Sequence, residues 1–405
     1  MGADVMTEPA HLNVDVAVFG GGVAGLWLLA KLRKLGFNAV LLEANALGAG
    51  QTLYAQGIIH GGIKYALTGK LSDSSKAVAQ MPGLWRECLQ GKGEIDLSAV
   101  EILSPYQYLW STKSLTSKMA GFFASKVMTS RTTEVSAEER PQVFQSPEFH
   151  GQVYRLQEAI IDTASLVRAL TEPNKQAIFK FNWSQATFDL KDPERIQFTI
   201  DQDEHFVDAK VLVLAAGKGN AEILARLGRK TPQMQLRPLR QVMMRGNLPD
   251  LLYAHCLGAS VNPRITITGH RDAQSAIVWY LGGQLAEDGV NRSVAGQIKH
   301  AKGEIAELLP WLDLSGVEWA TLDIDRAEAK QAGGKRPEGG YADYQDRVIT
   351  GWPTKMVLAP KLADDIVALL NKHQVLPSGA SPLPDWPHPG YAVLPWQQES
   401  KWSTL

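Results

Sequence analysis

Apolar residues run almost unbroken over Asp15–Phe19, the pattern of a strand covered on both faces. Val23–Leu35 then spaces its apolar residues as a helix does, with Gly36 where a terminating cap belongs. A second apolar run, Ala39–Leu42, ends on Glu43, and the chain from Ala46 to Ala66 is dominated by glycine and small residues. Helical spacing returns over Ser74–Leu89 and Thr163–Leu170, separated by short strand-like and Ser/Thr-rich stretches between Val100 and Val153. Strands are expected near Ala177–Phe181 and Ile196–Ile200, with a buried one at Val211–Ala215. Arg237–Arg245, Arg264–Thr268 and Ala276–Leu281 read as strands of a second, largely antiparallel sheet. Helices are expected over Ala295–Leu309 and Met356–Leu370. Beyond His373, six prolines from Pro377 to Pro395 leave no regular pattern. No repeat is visible, and the alternation implies a doubly wound nucleotide-binding domain interrupted by insertions that build a sheet-rich second domain.

Composition narrows the options only modestly. The 405 residues are 45% hydrophobic and 20% charged with a net charge of −1, so nucleic acid is not an expected partner. The two cysteines, Cys88 and Cys256, exclude a disulfide framework, a CxxC redox pair and a four-cysteine metal site, and read as plain buried thiols. No metal site is expected. The first dozen residues lack an apolar signal core, and no apolar run reaches the ~20 residues that cross a bilayer. A cytoplasmic protein is expected, with peripheral membrane contact left open. The eleven tryptophans serve either packing or a binding surface.

The chemistry begins at Gly20-Gly21-Gly22-Val23-Ala24-Gly25, which fits GxGxxG between a buried strand and a helix. Gly20 permits the tight turn, Gly22 lets backbone approach a pyrophosphate, and Gly25 lets helix pack on strand. Backbone at Val23 and Ala24 would face the anion, where free N–H groups and the helix dipole favour it. Glu43 ends the next strand, placed with Ala44 to bind ribose hydroxyls and to repel a 2′-phosphate. FAD and NAD share this fingerprint, and the chain beyond Glu43 favours FAD. The small-residue segment with Gly50, Gln51 and Thr52, then Gln56, Gly57, His60, Gly61 and Gly62, suits a large flat ring lying against backbone. No second GxGxxG unit occurs, so a bound small substrate is the expected electron source.

These motifs resemble the D-amino-acid oxidase superfamily of FAD enzymes, which includes glycerol-3-phosphate and L-2-hydroxyglutarate dehydrogenases. Gly57-Ile-Ile-His60-Gly61-Gly62-Ile-Lys-Tyr65 looks like the IHGGLRY stretch of the former. Val211-Leu-Val-Leu-Ala-Ala216-Gly217 resembles the family's strand and turn near the FAD diphosphate. Gly334-Lys335-Arg336-Pro337 resembles its G-x-RP element, and Gly351–Pro360 its flavin-closing motif. The landmarks run in family order from about 13 to 372. Trp352-Pro353 departs from the small residues usual beside the flavin, and the SSR segment of glycerol-3-phosphate dehydrogenase is absent before His60, so substrate identity does not carry over.

The resemblance implies hydride transfer from a C–H bond beside oxygen or nitrogen to flavin N5. Thr354, Lys355 and Met356 at a helix start would draw electron density toward the ring's pyrimidine edge. His60 would orient substrate or accept a hydroxyl proton. Arg336 and Arg326 would grip a carboxylate or phosphate, and Tyr280 and His270 would face substrate from the second sheet. The expected fold class is α/β (α+β overall): a Rossmann-like FAD-binding domain of residues 13–95, 150–232 and 325–375, with an inserted, mainly antiparallel β-sheet substrate domain of 96–149 and 233–324. Residues 376–405 form a Pro/Trp-rich tail, either a docking segment or a strap across its own domain. The leading expectation is a dehydrogenase or oxidase with non-covalent FAD, acting on a small anionic hydroxy compound. Alternatives are an amino-acid or secondary-amine oxidase and a non-catalytic flavin-binding partner protein. The acceptor stays open among oxygen, quinone and an electron-transfer protein.

Overall fold

The computed structural model describes residues 11–61, 73–112, 132–200, 205–258, 262–335, 337, 339–399 and 402. Strand β1 (His11–Phe19), helix α1 (Val23–Lys34) and strand β2 (Ala39–Glu43) open the fold. Val16 to Phe19 and Ala39 to Leu42 are all buried, as strands with both faces covered require. Gly36 adopts φ +85 just past α1 and donates its N–H to Arg33 O, which is how a glycine ends a helix.

The first sheet has the order Tyr341–Gln345, Val348–Trp352, Phe206–Leu214, β1, β2, Ile178–Lys180. Its centre is parallel, and Tyr341–Gln345 and Ile196–Thr199 add antiparallel pairs. On one face α1 packs with helices Thr163–Thr171 and Ala359–Lys372. Phe19, Phe181, Phe198 and Trp183 fill the other face with edge-on and tilted ring contacts. The second sheet has eight strands in the order Glu318–Ala329, Met234–Arg245, Ile277–Gly282, Ile265–Arg271, Tyr253–Cys256, Gln107–Ser111, Gln152–Leu156, Thr132–Glu134. It is antiparallel except where Gln107–Ser111 meets Tyr253–Cys256, and helix Val294–Leu308 packs on its outer face. This is the mixed α/β architecture that the hydrophobic pattern implies.

Several strands escape the sequence reading, Tyr253–Cys256 among them, and for three of the others the reason is identifiable. Glu318–Ala329 pairs along all its length with Met234–Arg245, but its alternation is broken by Asp323, Asp325 and Arg326, which line the central cavity, and by Glu328, which pairs with Arg237 at 2.7 Å. Tyr341–Gln345 and Val348–Trp352 form a hairpin whose two-residue turn is Asp346-Arg347, both at positive φ. That turn ordinarily announces itself with Asn-Gly or Asp-Gly. The helix expected over Met356–Leu370 is instead a single tight turn, Met356–Leu358, followed by Ala359–Lys372 with Pro360 in its first turn. Glu318–Ala329 carries the second sheet past residue 325, and Gln152–Leu156 carries it past residue 150.

The tail is a strap rather than a dangling segment. Ser378 donates N–H and O–H to Asp15, which is buried and also accepts from Lys210 and from Asn38 N. Lys180 N donates to Pro387 O, Trp386 packs edge-on against Phe179, and Leu47 N donates to Gly390 O. Farther on, Trp396 is buried and stacks 3.8 Å from His270 of the second sheet, and Glu399 pairs with Arg245. Cys88 and Cys256 are free and buried. Among the described residues, no helix is long and apolar enough to cross a membrane.

Candidate active site

A cavity of about 1140 Å³ runs between the two sheets. One end is the β1–α1 turn. Gly20 takes φ +114 with its Cα side against the Ala215-Ala216 backbone, and a Cβ on Gly25 would overlap the Gly20 carbonyl oxygen. Neither position tolerates a side chain, so the turn stays tight and α1 stays close to β1. The α1 N-terminus carries no side-chain cap on Gly22 and no acid in its first turn, while Val23 N donates to Thr52 Oγ1 at 3.0 Å. A helix start whose capping residue offers no side chain, opening on a cavity, is a place for an anion. Gly20, Gly22, Val23 and Ala24 line the wall, whereas Gly25 sits behind it as a packing position. Glu43 lines it too, with its carboxylate accepting from Gly21 N at 2.6 Å and from Asn45 N at 2.7 Å, and Ala44 follows.

Ala216 and Gly217 close the other side of this end. Trp352, the bulky departure from the family pattern, is fully buried and donates its indole N–H to Gly217 O at 2.9 Å. It therefore braces the turn while forming part of the same cavity wall. Gly50, Gln51, Thr52, Gln56 and Gly57 all reach the cavity. Two of their side chains also bolt the glycine-rich segment to the second sheet: Gln51 Oε1 accepts from Ala327 N at 3.0 Å, and Gln56 Nε2 donates to Tyr280 O at 3.0 Å. Gly57 has φ +69, and a Cβ there would run into Ile161 O.

His60 lies on the wall with its side chain 43% exposed. Behind it stands Glu158, which sequence reasoning missed. Glu158 is buried and accepts at Oε1 from Gly61 N and at Oε2 from Gln107 Nε2, the latter at 2.7 Å; His60 Nδ1 lies 3.5 Å from the same Oε2. Burial alone would raise the Glu158 pKa, but the hydrogen bond and charge of His60 and the Gly61 N–H bring it below the ordinary carboxylate value. His255, also missed, stacks on His60 with ring centroids 6.1 Å apart, and its Nδ1 lies 2.8 Å from Thr266 Oγ1. Burial, then the neighbouring His60, pushes the His255 pKa down to about 3, so the ring is neutral. No motif marks Glu158 or His255, because each is brought to His60 by sheet pairing rather than by spacing.

Thr354, Lys355, Met356 and Arg326 all line the cavity. Thr354 holds φ +60, an uncommon backbone state for a β-branched residue. Arg326 donates Nε to Arg237 O at 3.1 Å and lies 3.6 Å from Glu287. Two expectations for the second sheet are corrected. Tyr280 is fully buried off the cavity wall, its one hydroxyl proton placed between the acceptors Tyr54 O and Gln241 Oε1, so it braces the wall instead of facing substrate. His270 is buried under Trp396, with its pKa pushed down to about 3 by burial. Gly61 is committed to Glu158 and does not line the cavity. Gly62 and Arg336 lie outside the described residues. No group of three or more metal-ligating side chains occurs among the described residues.

A tight glycine turn at the start of α1, with a long cavity opening beyond it between two sheets, is the arrangement of a dinucleotide-binding oxidoreductase. The chain belongs to the DAO family of FAD-dependent oxidoreductases, whose profile matches residues 15–330. It is 44% identical over 393 residues to the FAD-dependent oxidoreductase PA4991 of Pseudomonas aeruginosa, covering 96% of this chain and 99% of that one. The crystal structure of PA4991 superposes with a TM-score of 0.84 at 39% identity, covering 96% of this chain and 99% of the other. More distant folds match as well. Glycine oxidase from Geobacillus kaustophilus gives a TM-score of 0.61 at 16% identity, over 89% of this chain and 95% of that one. The L-alpha-glycerophosphate oxidase of Mycoplasma pneumoniae, with FAD bound, gives 0.61 at 14%, over 95% and 99%. The protein is thus an FAD-dependent enzyme, and its glycine cradle fits that cofactor.

Proposed function

We propose that the enzyme oxidises a small anionic hydroxy compound, glycerol-phosphate-like or a 2-hydroxy acid, at the C–H bond beside oxygen. Bound FAD supplies the hydride acceptor. In this reading the first sheet with α1 is the cofactor unit and the second sheet is the substrate unit. Gly20, Gly22, Val23 and Ala24 would receive the diphosphate and Glu43 the ribose. The flavin end would rest toward Gly57, Thr354 and Met356. The observation that carries the reading is the make-up of the cavity beyond the cradle, where His60 shares the wall with the cations Arg326 and Lys355. Arg326 and Lys355 would hold the anionic group, and guanidinium suits a carboxylate or a phosphate alike. His60 would take the hydroxyl proton as the carbonyl forms.

A second reading, oxidation of an amino acid or secondary amine, is favoured by the carboxylates of Glu287, Asp323 and Asp325 on the same wall, which would suit an ammonium group. Relatives in fold are named for both chemistries, glycine oxidase and L-alpha-glycerophosphate oxidase. Anaerobic mixing decides between them. Bleaching of the flavin absorbance by sn-glycerol 3-phosphate or a 2-hydroxy acid is expected. Bleaching by glycine, sarcosine or proline alone would overturn the hydroxy-compound reading.

A further inference from the structure

If His60 takes a proton from a substrate hydroxyl, one ring nitrogen must be kept bare for it. The structure holds a group able to do this. Glu158 sits on the short link between strands Gln152–Leu156 and Ile160–Ile161, its side chain 5% exposed. A buried carboxylate persists only when its oxygens are supplied with donors. Here Gly61 N and Gln107 Nε2 supply two, and His60 Nδ1 at 3.5 Å is placed to supply the third. An ionised carboxylate can only accept, so it favours the imidazole form with its proton on Nδ1 and leaves Nε2 with the lone pair. Among the described residues, the titratable groups in contact with the ring are Glu158 and, from strand Tyr253–Cys256, His255. The neutral His255 ring flanks His60 without adding charge.

We propose that Glu158 is a positioning residue, which sets His60 in the Nδ1–H tautomer so that Nε2 meets the substrate hydroxyl. In the step this serves, the substrate O–H bond breaks and its proton moves to Nε2. The C–H electron pair leaves as the hydride that FAD-dependent chemistry accepts, and the C–O bond becomes a carbonyl. The carboxylate then balances the imidazolium that results. The inference rests on the hydroxy-compound reading for its catalytic meaning, but its geometry does not.

The test uses FAD-loaded enzyme with ¹⁵N-labelled histidine, with the His60 signals assigned through the His60→Asn variant. In the native enzyme His60 is expected as the Nδ1–H tautomer, and in Glu158→Gln the proton is expected to redistribute toward Nε2. With sn-glycerol 3-phosphate or 2-hydroxyglutarate as probe, Glu158→Gln is expected to lower kcat about 100-fold with little change in KM, the signature of general-base loss. Glu158→Asp should recover most of that loss, while flavin absorbance stays native in both. If Glu158→Gln does not retain flavin, Gln107→Met, which removes the donor competing for the carboxylate oxygen beside His60, is expected to hold the proton on Nδ1 at least as firmly as in the native enzyme. A His60 tautomer that is unchanged in Glu158→Gln, or a proton that moves to Nε2 in Gln107→Met, overturns the proposal. A tautomer shift in Glu158→Gln supports it even if neither probe bleaches the native flavin, a result that would count against the substrate reading alone.

Discussion

The two walls of the cavity are built on opposite principles. The cradle wall is local and made of backbone: Gly20 to Ala24 and Glu43 act within one βαβ unit, and what matters most is the side chains they lack. The facing wall is assembled from far-apart side chains, His60, Glu158 and His255 meeting through strand pairing and a buried hydrogen-bond set. A wall of backbone can change only by failing, whereas a wall of side chains can be re-specified residue by residue. One fold can thereby keep its cofactor while changing its substrate.

The sharpest way to break this contrast is at Gly25. A Gly25→Val side chain must collide with the Gly20 carbonyl, so purified protein is expected to carry no flavin, read as lost visible absorbance. Retention of flavin would mean that the cradle is more plastic than its geometry says. On the facing wall, His60→Asn should keep the flavin and lose roughly 10²- to 10⁴-fold in kcat, the usual worth of a general base. Loss of flavin in that variant would show the two walls to be energetically one. A smaller effect belongs to Glu43→Gln. Replacing the charged acceptor expected to take the ribose hydroxyls should raise the FAD dissociation constant at least about tenfold, since a bond to a charged group is worth roughly 1.5–3 kcal/mol. Titration of apoprotein with FAD by fluorescence quenching measures it.

The smallest effect is on stability, and it separates the sheets by pH. His255 and His270 of the second sheet have folded pKa values depressed to about 3 from an ordinary 6.5, burial being the leading cause. Between those values the unfolded chain binds more protons than the folded one, so stability falls as pH drops from 6.5 toward 3. In the first sheet, burial would raise the Asp15 pKa, but hydrogen bonds from Lys210, Ser378 and Asn38 outweigh it and lower the value from 3.8. Its contribution is present above pH 3.8 and is lost only as pH falls through the lower folded value. Acid should therefore loosen the second sheet first. His270→Gln should flatten the fall in Tm between pH 7 and 5, and an unchanged slope would remove these histidines from the account.

The same contrast explains what was legible in the sequence. The cradle could be read because each glycine answers to a steric demand at fixed spacing, and because Glu43 closes a strand of continuous apolar residues. His60 was legible beside its glycines. Glu158 and His255 were not, since a lone acid in Gln157-Glu158-Ala159 and a lone histidine in Tyr253–Cys256 carry no spacing signal until the sheet pairs them. Tyr280 misled because an aromatic in a Gly-flanked strand looks the same whether it faces the cavity or braces it. Gln51 and Gln56 were read as cofactor contacts, and their second use, tying the segment to Ala327 and Tyr280, is invisible without the fold.

The strap has a consequence for the order in which the molecule is completed. Residues 378–399 begin against Asp15 of β1 and finish against Arg245 and His270, so a stretch made after both sheets is the part that clasps them. Until it is made, the two layers must be held by the contacts between the sheets themselves. Clipping the chain near the strap's start would free the clasp while leaving every residue of the cradle in place.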